Sequence, residues 1–306
     1  MDDVTVGTKS FYRLEKIRQC LVSIAQTDLE FNQGIVADDG DITEEKEEIY
    51  EEYRGKLPLE VIDLEFDYGL GGSRNKVYDK MDGEYLLWVD DDMMMPRSVT
   101  VMKKILKERD KLGGVSGIML EEGEFRAEAH QFKLRETPLG TTLVKDIFEE
   151  RKEEVKTDTG PKTLFKFDQV LNCLMLKKEC LDEAKWDDHY IIQGEHTDFF
   201  LNHYFNTDWD FALAPEVVFN HYPGGSIEFK KERNDEKKHE DSIGYLKKKW
   251  GIDHIAFRRK FYEPDAGFSR SIKTKIKRTM PPEALAKLQE MDVLPLRKRE
   301  DEKVEE

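Results

Sequence analysis

Tyr85-Leu86-Leu87-Trp88-Val89 is a run of five apolar residues that passes directly into three carboxylates, Asp90-Asp91-Asp92. Turn-forming residues bound the run, and it reads as a buried strand. In a parallel α/β sheet the ligand crevice lies outside the carboxyl ends of the strands. An extended chain has a side-chain period of two, which puts Asp90 and Asp92 on one side and Asp91 on the other. Carboxylates this close repel, and each raises the pKa of its neighbour unless a cation lies between them. A divalent metal, often one that also holds substrate phosphates, is the usual cation. An acidic triplet taken alone reads as a solvated loop. The strand before it and the helix after it point to a metal site instead.

The surrounding pattern supports a sheet of this kind. Val4 to Thr8 reads as a first strand, and Leu14, Ile17, Leu21 and Ile24 then recur at helical spacing. Gln33 to Ala37 is a second strand closing on Asp38-Asp39-Gly40, and Asp41 is the expected N-cap of an acidic helix. Leu59 to Leu64 is a third strand. A glycine-rich turn, Gly69-Leu70-Gly71-Gly72, leads into a helix opened by Ser73-Arg74-Asn75 and running to about Met81. Pro96 suits the first turn of the helix carrying Val99, Met102, Ile105 and Leu106, and Gly113-Gly114 is its expected stop. Strands alternating with helices predict an α/β fold with a mainly parallel, Rossmann-like central sheet.

Past residue 116 the rhythm changes. Gly117 to Leu120 reads as a short strand, residues 121–162 as a polar, irregular and mobile segment, and Leu164 to Met175 as extended chain. Gly194-Glu195-His196-Thr197-Asp198 enters a helix reaching about Tyr204. Trp209 to Leu213 and Val217 to His221 are strands, and Pro223-Gly224-Gly225 is a stop. From Ser226 onward the chain is charged and helical, with an acidic tail.

The 306 residues carry a net charge of −16, which argues against nucleic acid as the main partner. A mean hydropathy of −0.70 and the lack of an apolar run near the ~18 residues a membrane span needs make a cytoplasmic location the expectation. Three cysteines without Cys-x-x-Cys spacing indicate neither a disulfide framework nor a zinc site, and Cys20 reads as plain core. One segment departs from the acidic balance. Phe268 to Met280 holds five basic residues and no acid, with Ile272 and Ile276 one helical turn apart. Such a stretch fits either peripheral contact with an anionic membrane or a helix packed on the preceding domain.

Phe11-Tyr12-Arg13, Ala37-Asp38-Asp39-Gly40, Gly69-x-Gly71-Gly72-Ser73-Arg74-Asn75 and Trp88-Val89-Asp90-Asp91-Asp92 occur in this order. Together they resemble the GT-A glycosyltransferases, and family 2 in particular, over about residues 3–225. The resemblance implies a nucleotide-sugar-binding half at 1–115 and an acceptor-binding half at 116–225, and the charged helical pattern beyond them makes 226–306 a helical extension. It implies transfer of a sugar, with inversion, from a nucleotide-diphosphate donor (a UDP-sugar by family resemblance) to a hydroxyl of a glycan or lipid-linked acceptor. It further implies Mn2+ or Mg2+, which hard oxygen ligands select. Asp92 then ligates the metal, Asp90 lies near the donor ribose or the metal, and Asp39 hydrogen-bonds the nucleobase. Thr8, Arg74, Asn75 and Asp91 complete the donor-binding set. His221, ending an apolar strand, occupies the place of a further metal ligand.

The acceptor base is less settled by the residues. The family typically carries Glu-Asp at a helix start, with the Asp as base, whereas this chain has Glu195-His196-Thr197-Asp198. Glu195 and Asp198 are three apart and share a helix face, so Glu195 is the first choice and Asp198 the second, with His196 occupying the family's base position. Two rivals stand beside the glycosyltransferase. One is a non-catalytic nucleotide-sugar-binding protein on the same scaffold, the other a sugar nucleotidyltransferase. The nucleotidyltransferase would carry a basic glycine-rich loop within its first ~25 residues, and this chain has none there.

Overall fold

The computed structural model describes residues 3–258 and 280–290. Apart from Met280, the basic stretch 268–280 lies outside the described residues, as does the acidic tail. The first half alternates as expected: β1 (Val4–Ser10), α1 (Leu14–Ala25), β2 (Gln33–Asp38), α2 (Glu44–Arg54), β3 (Leu59–Asp63), α3 (Leu70–Lys80) and β4 (Tyr85–Trp88). The short β5 (Met93–Met94), α4 (Thr100–Lys107) and β6 (Leu112–Glu121) follow. Helical spacing places Ile17, Cys20, Leu21 and Ile24 of α1 and Met102, Ile105 and Leu106 of α4 in the core.

Next come β7 (Glu124–Arg126), β8 (Gln131–Thr137), β9 (Gly140–Asp146), β10 (Lys152–Thr157), β11 (Gly160–Phe167), β12 (Leu174–Lys177), α5 (Lys178–Glu183), α6 (Glu195–Asn206) and β13 (Asp210–His221). The last described elements are α7 (Ile227–Arg233), α8 (Glu236–Trp250), β14 (His254–Phe257) and α9 (Pro282–Glu290). The main sheet follows the path β10-β11-β13-β6-β12-β4-β1-β2-β3, with β5 and β7 attached at its side. Nine strands form this path, and all but β11 and β12 point the same way. A separate three-stranded sheet has the order β14-β9-β8.

From β1 the chain moves outward to β2 and β3 and returns to β4 on the other side of β1. This reversal is a topological switch point, the place where open α/β sheets form their ligand crevice, at the carboxyl ends of the strands. Ser10, Asp39 and Asp90–Asp92 all arrive at that end.

Several local expectations are corrected. Residues 121–162 are not irregular: they form β7 to β10 and the start of β11. β8 and β10 bury few side chains, Val155 alone being fully buried in β10, while β9 buries an unbroken run, Thr142 to Asp146, that includes polar residues, so none of them shows a clear apolar alternation. Gly113 and Gly114 lie inside β6, because α4 has already ended at Lys107. Thr43 rather than Asp41 caps α2, its side chain accepting from the Lys46 N–H. The two strands expected between 209 and 221 are one, β13, with a register shift between Leu213 and Val218. The C-terminal extension also contributes a strand, β14, to the smaller sheet.

Candidate active site

β4 ends at Trp88, so the three aspartates occupy a turn rather than a strand, and the Met93 N–H closes it on the Asp90 carbonyl. The expected alternation is therefore lost. Asp91 and Asp92 share one cation, the guanidinium of Arg13, while Asp90 faces a different one. Arg13 Nη2 pairs with Asp91 Oδ1, Arg13 Nε donates to Asp91 Oδ2 at 3.3 Å, and Nη1 reaches Asp92 Oδ2 at 2.5 Å. Burial works against charge on Arg13, but Asp91 and then Asp92 outweigh it and raise its pKa. Asp91 is fully buried, and loss of solvent pushes its pKa upward despite Arg13. Burial has the same effect on Asp92, but His221 and Arg13 overcome it and leave that carboxyl below its usual range.

His221, at the end of β13, lies beside this turn because β13 pairs with β5 immediately after the triplet. The Tyr222 N–H ties the two segments by donating to the Asp92 carbonyl at 2.8 Å. His221 Nε2 is 3.4 Å from Asp92 Oδ2, and Nδ1 contacts Glu121 Oε2. Glu121 is itself paired with Arg126 at 2.6 Å. Burial lowers the His221 pKa, yet Asp92 and Glu121 together raise it. A carboxylate on one ring nitrogen, leaving the other aimed at a second carboxylate, is the outer support that metal-ligating histidines commonly have. Asp92 and His221 thus suit a small divalent ion that takes its remaining ligands from water and phosphate. Among the described residues no group of three potential ligands is present.

A second circuit surrounds Arg74. Its Nη1 donates to Glu195 Oε1 at 3.0 Å, and Nη2 is 3.9 Å from Asp90 Oδ1. The guanidinium lies 5.2 Å from the Trp88 ring and 5.7 Å from the Trp186 ring, within reach of cation–π attraction. Trp88 Nε1 donates to Asp90 Oδ1 at 2.9 Å. Burial raises the Glu195 pKa, but Arg74 above all, with Arg233 helping, more than reverses this, so the pKa lies below its ordinary range and the carboxylate is ionised. Arg233, at the end of α7, belongs to the same field. Its side chain is exposed to solvent, and its charge helps to lower the Glu195 pKa.

The loop before α3 explains its glycines. Gly69 has φ +100°, and its N–H donates to Asp39 Oδ2 at 3.0 Å. A Cβ on Gly71 would stand 2.0 Å from the Asp187 carbonyl oxygen, so α3 and the 187–188 loop approach as closely as they do only without one. Asn75 fastens the same loop, donating to the Trp186 carbonyl at 2.7 Å and to Asp188 Oδ1 at 2.5 Å. Helix α3 begins at Leu70, so Arg74 and Asn75 lie one turn inside it rather than at its start.

The remaining expected residues separate. Asp39 is wholly buried, with Lys9 Nζ at 2.5 Å from Oδ1, and burial raises its pKa against the opposing lysine. Thr8 is buried within β1. Asp198 belongs to a different place: it accepts from Tyr190 Oη at 3.1 Å, Trp250 Nε1 at 2.7 Å and Lys249 Nζ at 2.8 Å, tying α6 to α8. The shared helix face therefore does not bring Glu195 and Asp198 to common partners. His196 Nε2 lies 2.5 Å from the Val170 carbonyl, which only accepts, so that nitrogen carries the proton. Burial pushes the His196 pKa down to about 4 and keeps the ring neutral. Sequence reasoning assigned no role to Arg13, Glu121, Trp186 or Arg233. Arg13 alone carried a signal, as part of the Phe11-Tyr12-Arg13 motif.

The model of the family described as "Glycosyl transferase family 2" matches residues 5–168, more than half of the chain. The chain belongs to glycosyl transferase family 2. The matched region holds β1 to β4, the acidic turn and Arg74, and stops before Glu195 and His221. Solved structures similar to this chain include the crystal structure of S. aureus TarS 1-349, 17% identical over 83% of this chain and 73% of that one, with a TM-score of 0.52. The same TarS fragment in complex with UDP is 18% identical over 83% and 73% of the two chains, again with a TM-score of 0.52. Its complex with UDP-GlcNAc gives 17% identity, 82% and 73% coverage and the same TM-score. At such identities the likeness is one of fold. No curated protein sequence matches the chain.

Proposed function

We propose that this family 2 protein is a metal-dependent, inverting glycosyltransferase that uses a nucleotide-diphosphate sugar. The observation that carries the reading is the meeting of two circuits at the switch point. Asp92 and His221 form a pair suited to Mg2+ or Mn2+, and Glu195 lies beside Arg74 and Asp90. When bound, the ion would neutralise charge developing on the departing diphosphate. Asp39 and Thr8 lie on the nucleobase side, where Lys9 must move for a base to reach Asp39. Asp90 is positioned toward the ribose, held by Trp88 and Arg74, and Asn75 acts indirectly by fixing the 186–188 loop. Glu195 is the base: ionised, it takes the proton of the acceptor hydroxyl, which attacks the sugar on the face opposite the diphosphate. That single displacement inverts the anomeric centre. Asp198 holds α6 in place and is a positioning residue. A UDP-sugar is the favoured donor, consistent with the UDP-containing complexes of a protein of this fold, and a glycan or lipid-linked hydroxyl is the acceptor class.

A second reading, non-catalytic binding of the nucleotide sugar, is favoured by one observation: His196 stands where the family carries its second acid. The match to glycosyl transferases gives no support to the nucleotidyltransferase alternative. A panel of nucleotide sugars, assayed for nucleotide release and transfer with and without Mn2+, separates the readings. Catalysis predicts Mn2+-stimulated release that Asp92→Ala abolishes and His221→Ala reduces. Binding of UDP-sugars without turnover would favour the second reading, and full activity in chelator would end the metal assignment. No helix among the described residues is long and apolar enough to cross a membrane.

A further inference from the structure

Asp91 and Asp92 of the acidic turn are bridged by Arg13. Its guanidinium spans Asp91 and Asp92, and the Asp92 oxygen it holds, Oδ2, is the one facing His221 Nε2. The same guanidinium lies 4.4 Å from the ring centre of Phe229, on α7. Phe229 also approaches Phe11, at 6.4 Å between ring centres, so the aromatic cover is built from both α7 and the segment preceding Arg13. The backbone is specialised at this point as well. Tyr12, next to Arg13, has φ +59°, a left-handed conformation that a bulky side chain adopts only when the surrounding structure holds it there. That conformation turns the chain from β1 into α1 and delivers Arg13, the α1 N-cap residue, to the aspartates.

We propose that Arg13 is an internal counter-cation that a divalent metal must displace from Asp92, and that the released guanidinium transfers to the donor diphosphate. This rests on the metal-dependent reading above and goes beyond it. A cation entering between Asp92 and His221 and a guanidinium already on Asp92 compete for one oxygen. Metal alone therefore binds weakly, since Arg13 would be stranded away from its two carboxylates. Metal and diphosphate together bind well, since the planar guanidinium exchanges two carboxylates for phosphate oxygens of matching geometry. Arg13 is thus a positioning residue that couples the two ligands and keeps the carboxylates apart from stray cations. Breaking its stack on Phe229 is part of the exchange, so Phe229 contributes to holding Arg13 on the carboxylates.

The test measures Mn2+ affinity of the full chain by calorimetry or electron paramagnetic resonance, with and without UDP, alongside a thermal melt. For the unchanged protein UDP should strengthen Mn2+ binding strongly. Arg13→Met should bind Mn2+ alone about tenfold or more tightly, the low end of what one neighbouring charge does to a carboxylate's proton affinity. It should also lose most of the enhancement by UDP. Arg13→Lys, a point charge unable to bridge both carboxylates, should fall between. If Arg13→Met does not melt cooperatively, Phe229→Ala decides, because it loosens the guanidinium without removing charge and should raise Mn2+ affinity by a smaller factor. A folded Arg13→Met that binds Mn2+ no more tightly, or keeps the full UDP enhancement, overturns the proposal while leaving the metal reading intact. No Mn2+ binding by the unchanged protein even with UDP would end both.

Discussion

Asp198→Asn separates a structural carboxylate from a catalytic one. The substitution keeps the shape but turns one acceptor oxygen into an N–H2 group. Whichever way the amide is placed, it meets a donor, either Lys249 Nζ or Trp250 Nε1, each less than 3 Å from the present carboxylate. Removing one partner of a buried ion pair costs about 3–5 kcal/mol. Here Lys249 is 27% exposed and keeps a second carboxylate, Asp187, at 2.8 Å, which reduces the loss to about 2–3 kcal/mol. For a chain of this size each kcal/mol lowers the melting temperature by about 2 °C, so a drop of about 4–6 °C is expected. Differential scanning fluorimetry measures it, and transfer is assayed well below the melt with the nucleotide sugar that the release panel identifies. Turnover should fall far less than the roughly hundred-fold that loss of a general base brings. An unchanged melting temperature joined to a hundred-fold loss of turnover would refute the argument and return Asp198 to the chemistry.

Three other outcomes follow from the same geometry. Glu195→Gln should retain Mn2+ and UDP binding and lose transfer by about a hundred- to ten-thousand-fold, with the unchanged enzyme giving an inverted product by NMR; a retained anomeric configuration would remove the need for this base. Gly71→Ala should lower stability by about 1–3 kcal/mol or more, read as an earlier urea midpoint, because its Cβ would overlap the Asp187 carbonyl. For pH, His196 and His203 have folded pKa values pushed down to about 4 by burial, so the unfolded chain binds protons first as pH falls. Their contribution is complete above about pH 6.5 and is lost as pH falls toward 4, so the melting temperature should decline between pH 6.5 and 5, and less steeply in His203→Asn.

The parts of the fold legible in the sequence were those whose signal is local. Apolar runs gave β1 to β4, helical spacing gave α1 and α4, and the strand-to-acid transition marked the carboxyl end of β4. β7, β8 and β10 escaped because they bury one face weakly or lie at an edge, where polar residues are tolerated and alternation fades, and β9 because its buried run from Thr142 to Asp146 is continuous and includes Thr142, Lys145 and Asp146. In the site, Asp92 and His221 were read from strand ends, and the structure brings them within 3.4 Å. Their companions were hidden by distance along the chain. Glu121 meets His221 across 100 residues, and Arg74 meets Glu195 across 121. A side chain's partner at that separation is set by sheet order, which no local pattern specifies.

The partners also explain why the three aspartates, adjacent in sequence, do different work. Had β4 continued through Asp92, the pleat would have paired Asp90 with Asp92 and left Asp91 opposite. The turn breaks that alternation and sends the carboxylates to two cations held by different helices. Arg13 at the start of α1 takes Asp91 and Asp92, while Arg74 on α3 takes Asp90 and Glu195. Ligand exchange on Asp92 therefore need not disturb the ion pair that keeps Glu195 ionised, because the two guanidiniums share no carboxylate. On the proposed reading, Glu195 as base would stay charged and fixed while metal and diphosphate are exchanged beside it, ready for the acceptor as soon as the donor has arrived.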